Sequence, residues 1–164
     1  GNSLSKNIDS YQEAFDLLFK SVVHTTSLVI PHMQKNKWGR IINVTSVSVK
    51  EPLNYLVLSN SIRSAVVAWA KSLSVDIGKD GITINSILTG YFDTERIKEL
   101  NKEKSKSLNI SENEVLEKMK SLVPINRLGK PEEYGYLVSF LSSDKASYIN
   151  GASIPIDGGL LKSY

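Results

Sequence analysis

Gly39-Arg40-Ile41-Ile42-Asn43-Val44-Thr45-Ser46 and Gly81-Ile82-Thr83-Ile84-Asn85-Ser86-Ile87-Leu88 decide the fold. In each, apolar residues rich in isoleucine follow a glycine and stop at small or polar residues, the punctuation of a short buried strand. Gly90 ends the second. Upstream of the first, Phe15, Leu18, Phe19, Val22, Val23, Leu28 and Val29 recur at helical spacing. They predict a long amphipathic helix from an N-cap at Ser10 to about residues 31–36. Between the strands, Ala65, Val66, Trp69, Ala70, Leu73 and Ile77 share one helical face. The second helix is therefore expected over 53–77, stopped by Gly78 or Gly81.

Beyond Gly90 the stretch 94–122 is rich in Lys and Glu and only weakly amphipathic, which reads as two short helices forming a mobile flap over the end of a sheet. Pro131-Glu132-Glu133 opens a helix to about residue 141, with proline in the first turn and carboxylates at the positive end. Ile154 and Ile156 form a last strand. This alternation is that of an α/β layer with a parallel sheet. Three strands are few for such a sheet, so further strands are expected from outside the sequence in hand.

Composition narrows the function. The chain has 164 residues, 41% of them hydrophobic, and a net charge of +3 from 20 basic and 17 acidic residues. That balance is small and dispersed. Lysines at 98–106 alternate with Glu and Ser as on a solvated helix face, and nucleic acid is not an expected partner. No cysteine is present, which removes disulfides and thiol chemistry and makes a cytoplasmic location the default. No apolar run approaches the roughly 20 residues of a membrane span. His24 and His32, without carboxylates beside them, read as packing or surface residues, and no metal site is expected.

Five patterns in order resemble the short-chain dehydrogenase/reductase family over about residues 11–159. They are Pro31-His32-Met33 with the first strand; the helix Arg63 to Leu73; Gly81-Ile82-Thr83-Ile84-Asn85; Arg127-Leu128-Gly129-Lys130-Pro131-Glu132-Glu133; and Gly151 with Asp157-Gly158-Gly159. The resemblance implies the C-terminal part of a doubly wound Rossmann-type sheet. The N-terminal strands and glycine-rich phosphate turn lie outside the given chain. Nothing in 1–164 has G-x-G-x-x-G spacing, so this chain alone is expected to bind NAD or NADP poorly and to be inactive.

The resemblance also implies site residues. Ser46 falls where the family places a carbonyl-orienting serine, although a strand-terminating hydroxyl that bonds local backbone is the alternative. The family's Tyr and Lys, four apart, align with Ser59 and Arg63. A serine hydroxyl cannot inherit the phenol's acid/base role, and a guanidinium binds ribose hydroxyls but does not relay protons. The family's helical Asn aligns near Leu18. Tyr55, four before Ser59, is either a displaced phenol reaching towards Ser46 or an aromatic packed on the loop 47–52. A third grouping is Ser46, Ser59 and Arg63 as an anion- or carbonyl-binding cluster. After the second strand, Thr89 stands where the family has Pro. Gly90, the Phe92 backbone and the Thr94 hydroxyl align with its nicotinamide-side contacts, against the reading of a turn and a helix N-cap.

The expected function is NAD(P)-dependent oxidation or reduction of a small alcohol or carbonyl by a longer protein containing this chain. A non-catalytic scaffold or ligand-binding relative is the rival reading, and dehydration or epimerisation on the same frame a third. The resemblance further implies a homodimer or homotetramer through helices 10–35 and 55–78, with Val66 and Trp69 facing the mate.

Overall fold

The computed structural model describes residues 7–53 and 56–163. It has three parallel strands, β1 (Gly39–Val44), β2 (Ile82–Thr89) and β3 (Ser153–Ile156), in the order β1-β2-β3. Gly39 pairs with Ile82 and Val44 with Ile87; Ser86 pairs with Ser153 and Thr89 with Ile156. The helices are α1 (Ile8–Phe15), α2 (Ser21–Asn36), α3 (Val57–Ile77), α4 (Glu95–Leu108), α5 (Glu112–Ser121) and α6 (Pro131–Ser142). A π turn, Asp16–Lys20, joins α1 to α2.

The period-two pattern sorts the strands between two faces. Ile41, Ile82 and Ile84 pack against Ala70, Leu73 and Ile77 of α3 and against Ile30 and Met33 of α2. Ile42, Ile87, Ile154 and Ile156 pack against Tyr134, Leu137 and Leu141 of α6. Ile82, Ile84, Ile87 and Leu88 are wholly inaccessible, and each contributes roughly 1.5–3 kcal/mol by leaving water. Two amides sew the layers together. Asn150 accepts from Ile84 N–H at 3.0 Å and donates to the Ser74 carbonyl of α3 at 2.9 Å. Asn85 donates to the Ile149 carbonyl and accepts from Ala152 N–H, at 2.8 and 3.0 Å.

Three expectations change. The first helix begins at Ile8, because Asn7 Oδ1 takes the Ser10 N–H at 3.0 Å; Ser10 is inside the first turn, not the cap. Pro31 lies inside α2, which ends at Asn36, within the expected 31–36. The helix expected from Leu53 starts at Val57, since the Leu53 carbonyl is taken by Leu56 N–H and Asn60 Nδ2. Of the two residues expected to face a mate, Val66 is 3% exposed and turned inward. Trp69 packs on the α3-side core and stands edge-on to Phe19, ring centroids 6.3 Å apart. Exposed apolar residues along these stretches include Phe15, Leu17, Leu28, Val29 and Val75.

After α3 a 3-10 turn, Gly78–Asp80, leads to Gly81, whose φ is +74°. A Cβ there would collide with the Lys37 carbonyl, so glycine is required on both counts. The stretch 94–122 does form two helices, α4 and α5, the second opened by a capping box between Ser111 and Glu114. No described helix is long and apolar enough to cross a membrane.

Candidate functional site

The carboxyl ends of β1 and β2 carry the groups singled out from the sequence, as open parallel sheets lead one to expect. Thr45 extends the sheet one step past Val44: its N–H and its hydroxyl both donate to the Ile87 carbonyl at 2.9 Å. Ser46 follows immediately and caps the 3-10 turn Val47–Val49, its Oγ accepting from Ser48 N–H at 3.1 Å. The backbone contact offered as an alternative for Ser46 is therefore present. It uses an acceptor lone pair, which leaves the hydroxyl proton for another partner.

Arg63 comes from α3. Its Nε donates to Ser59 Oγ at 3.2 Å and its Nη1 to the Val44 carbonyl at 2.9 Å. The structure thus brings Ser59 and Arg63 together and ties Arg63 to the strand two residues ahead of Ser46. Ser46 itself is held by Ser48, not by Ser59 or Arg63. Leu18 occupies the place expected of an amide. With Leu17, Val22, Asn43, Val66 and Arg63 it lines a groove of about 260 Å³ beside β1. The Asn43 Nδ2 is buried there without a partner. Tyr55 lies outside the described residues.

The chain leaves β2 through Gly90, which donates to the Ile156 carbonyl at 3.1 Å. Glycine is needed here for space, since a Cβ would come within 2.6 Å of Asp157 Cα. Phe92 is buried and bridges Gly129. That bridge uses Gly129 N–H to the Tyr91 carbonyl and Asp93 N–H to the Gly129 carbonyl, both 2.9 Å. The amide and carbonyl of Phe92 itself take no part in it. Thr94 caps α4, its Oγ1 accepting from Ile97 N–H at 3.4 Å. Gly90, Phe92 and Thr94 are therefore gathered on one segment, with a capping role for Thr94 visible directly.

Around Phe92, residues to which the sequence reading assigned no chemistry gather at this end of the sheet. Tyr91, Phe92, Val123, Ile125, Arg127 and Gly158 line a cleft of about 230 Å³. At its margin Arg127 grips Glu133 through two 2.7 Å contacts, and Lys130 N–H adds a third. Together these hold the Glu133 carboxyl down to about 2. Tyr134, the next residue of α6, accepts a hydrogen bond from Thr89 at 3.2 Å. Burial pushes its phenol above the ordinary tyrosine range, while the Thr89 bond and the charge of Arg63 act the other way. Thr89 in place of proline was the sequence signal for this contact. Glu51, in the loop after Ser46, accepts from the Lys162 and Ser163 amides at 2.8 Å. Those bonds lower its pKa. Among the described residues no group of three His, Asp or Glu converges in a metal-binding arrangement.

A family model described as enoyl-(acyl carrier protein) reductase, of the short-chain dehydrogenase type, matches residues 1–161. The chain belongs to the short-chain dehydrogenase/reductase family. Among its relatives in this family is the NADPH-dependent reductase BacG of Bacillus subtilis, 34% identical over 131 residues, covering 80% of this chain and 51% of that protein. Oxidoreductase UcpA of Salmonella typhimurium is 33% identical over 162 residues, covering 97% and 60%. The crystal structure of L-sorbose reductase from Gluconobacter frateurii, complexed with NADPH and L-sorbose, superposes with a TM-score of 0.92 at 27% identity, covering 99% and 62%. The chain thus spans about half to three fifths of the length of these short-chain dehydrogenase/reductase relatives. The α/β architecture with a parallel Rossmann-type sheet agrees with the expectation from the strand pattern.

Proposed function

We propose that this chain is the substrate-side portion of an NAD(P)-dependent oxidoreductase acting on a small carbonyl or alcohol. The observation that carries the reading is the convergence of Ser46, Arg63 and the Gly90-to-Thr94 segment at the carboxyl ends of β1 and β2. The similarity to reductases named as NADPH-dependent supports it.

The residues fit the nicotinamide half of such a cofactor. The amide and carbonyl of Phe92, free of the bridge to Gly129, offer one donor and one acceptor, the complement of a carboxamide. Arg63 keeps further N–H donors for ribose hydroxyls after bonding Ser59 and Val44. Thr94 adds a hydroxyl at the start of α4, and Gly90 keeps the strand exit narrow. When bound, the nicotinamide supplies or accepts the hydride. Ser46 donates a hydrogen bond to the substrate oxygen, keeping its proton, and holds the carbonyl in place. Ser59 is anchored by Arg63 beside it. The proton comes from Tyr55 or from water. Helices α4 and α5 form the flap that selects the substrate, and Leu28, Val29 and Val75 are the apolar surface through which a homodimer or homotetramer forms.

The rival reading, a scaffold or ligand-binding relative without catalysis, draws on one observation: two donors of Arg63 are already spent inside the fold. One experiment separates the two. The natural polypeptide is titrated with NADH and NADPH by fluorescence and then assayed against a panel of small ketones and aldehydes. Saturable cofactor binding, with turnover lost in Ser46→Ala but binding kept, supports the oxidoreductase. No binding of either cofactor sinks it and leaves the scaffold.

A further inference from the structure

The family pattern gives proline at the end of β2 ahead of Gly90, and this chain has Thr89. Threonine brings a hydroxyl to a position where proline has none. In the register Thr89 pairs with Ile156, which places it on the α6 face of the sheet. There its Oγ1 donates to the Tyr134 hydroxyl at 3.2 Å. The Tyr134 ring stands edge-on to Phe92, centroids 5.4 Å apart and planes at 82°. Tyr134 therefore lies against Phe92, whose amide and carbonyl are the carboxamide contacts proposed above.

The ring alone accounts for the packing, since phenylalanine would fill the same space against Ile87, Leu137 and Leu141. The hydroxyl is the part that needs a reason, because partly burying it costs free energy unless it is bonded. Thr89 is its hydroxyl partner at 3.2 Å, and either hydroxyl of such a pair can donate. With Thr89 donating, the phenol's own proton is left for an acceptor at the strand ends. Arg63, bonded to the Val44 carbonyl at the end of β1, comes from α3 on the opposite face of the sheet, and its charge acts on this phenol. The crevice is thus flanked by a guanidinium from α3 and a phenol from α6.

We propose, resting on the oxidoreductase reading above, that Tyr134 is a further cofactor-binding residue. Its hydroxyl, oriented by Thr89, donates to the carbonyl oxygen of the nicotinamide carboxamide, beside the Phe92 backbone. Tyr134 is a binding group here and not the acid of the reaction.

The test uses the natural polypeptide and two matched probes. One is the reduced dinucleotide, NADH or NADPH, whichever binds. The other is the corresponding ADP-ribose or its 2′-phosphate, which lacks the nicotinamide. Dissociation constants are measured by fluorescence and competition titration for the wild type, Tyr134→Phe and Thr89→Val, with thermal melts to establish that each variant is folded. Loss of one hydrogen bond predicts dinucleotide binding weakened roughly three- to tenfold in Tyr134→Phe, with ADP-ribose binding unchanged. Thr89→Val shifts the same way by less. If Tyr134→Phe fails to fold, Thr89→Val decides alone. Unchanged binding, or equal weakening of both probes, overturns the proposal and makes Tyr134 a packing residue. A wild type that binds no dinucleotide fails at the earlier step and sinks the oxidoreductase reading itself.

Discussion

Arg63 donates to the main-chain carbonyl of Val44 across 2.9 Å, so a side chain of α3 takes up the last carbonyl of β1 on the edge away from β2. The same guanidinium holds Ser59. Replacing Arg63 by Met keeps the stem and removes the donors. Stability should fall by about 1–2 kcal/mol in urea unfolding, and NAD(P)H affinity by roughly tenfold. Unchanged affinity with reduced stability would make Arg63 a strut alone.

Ser46→Ala removes one hydroxyl whose acceptor side is already held by Ser48. The expected result is a loss of turnover on the order of 10²-fold, with cofactor affinity intact. Steady-state kinetics beside a binding titration checks both halves of that statement.

Gly90→Ala meets backbone rather than a flexible side chain. The new Cβ would sit 2.6 Å from Asp157 Cα and 2.7 Å from its Cβ. Either β2 or the turn after β3 must move, at a cost of about 1–3 kcal/mol. Chemical denaturation measures the cost. An Ala variant as stable as the wild type would mean that this exit has slack the geometry denies.

Asn85→Leu keeps the bulk but strips the amide from a fully buried position. The Ile149 carbonyl and Ala152 amide lose their partners together, and about 3 kcal/mol of stability should go with them. The unfolding midpoint in urea should drop without a change of slope.

Glu133 titrates near 2 in the folded chain against an ordinary 4.5, because Arg127 and the Lys130 amide favour its charged form. The unfolded chain then binds its proton first as the medium is acidified. The stabilisation is present above about 4.5 and is lost as pH falls from there to about 2. Glu133→Gln should flatten the stability profile within that window and leave its shape elsewhere alone. An acid titration followed by circular dichroism, wild type against variant, reads the difference.

The strands and their order along the chain were legible because Ile82, Ile84, Ile87 and Leu88 have no reading other than burial. Gly81 and Gly90 mark their ends for steric reasons that act locally. Helix starts were harder. Asn7 outcompetes Ser10 for the cap through one side-chain oxygen, and the Leu53 carbonyl is claimed by the Asn60 side chain of α3. Val66 was legible as part of the apolar face of α3, and the expectation that it faces a mate came from the resemblance alone; its burial at 3% exposure follows the face pattern instead. At the site, Ser59 and Arg63 were singled out because they align with the Tyr and Lys of the resembling family, and a helix converts their spacing of four into contact. Tyr134 was missed because its partner, Thr89, lies 45 residues away in sequence. Such pairings carry no periodic trace.

Parallel pairing sets the order of events in time. β1 meets β2 only after the whole of α3 has been laid down between Val44 and Ile82, and β2 meets β3 only after three more helices. Each closure must bring distant segments together before any contact rewards it, whereas a 21-residue helix such as α3 forms from neighbours alone. The sheet is then the late product of folding, and the apolar strands that become its interior spend the longest time exposed. For a chain emerging from the ribosome, Ile41 and Ile42 must wait for β2 until everything up to Ile87 has been synthesised. That interval is when this protein is most vulnerable to aggregation and most in need of a chaperone.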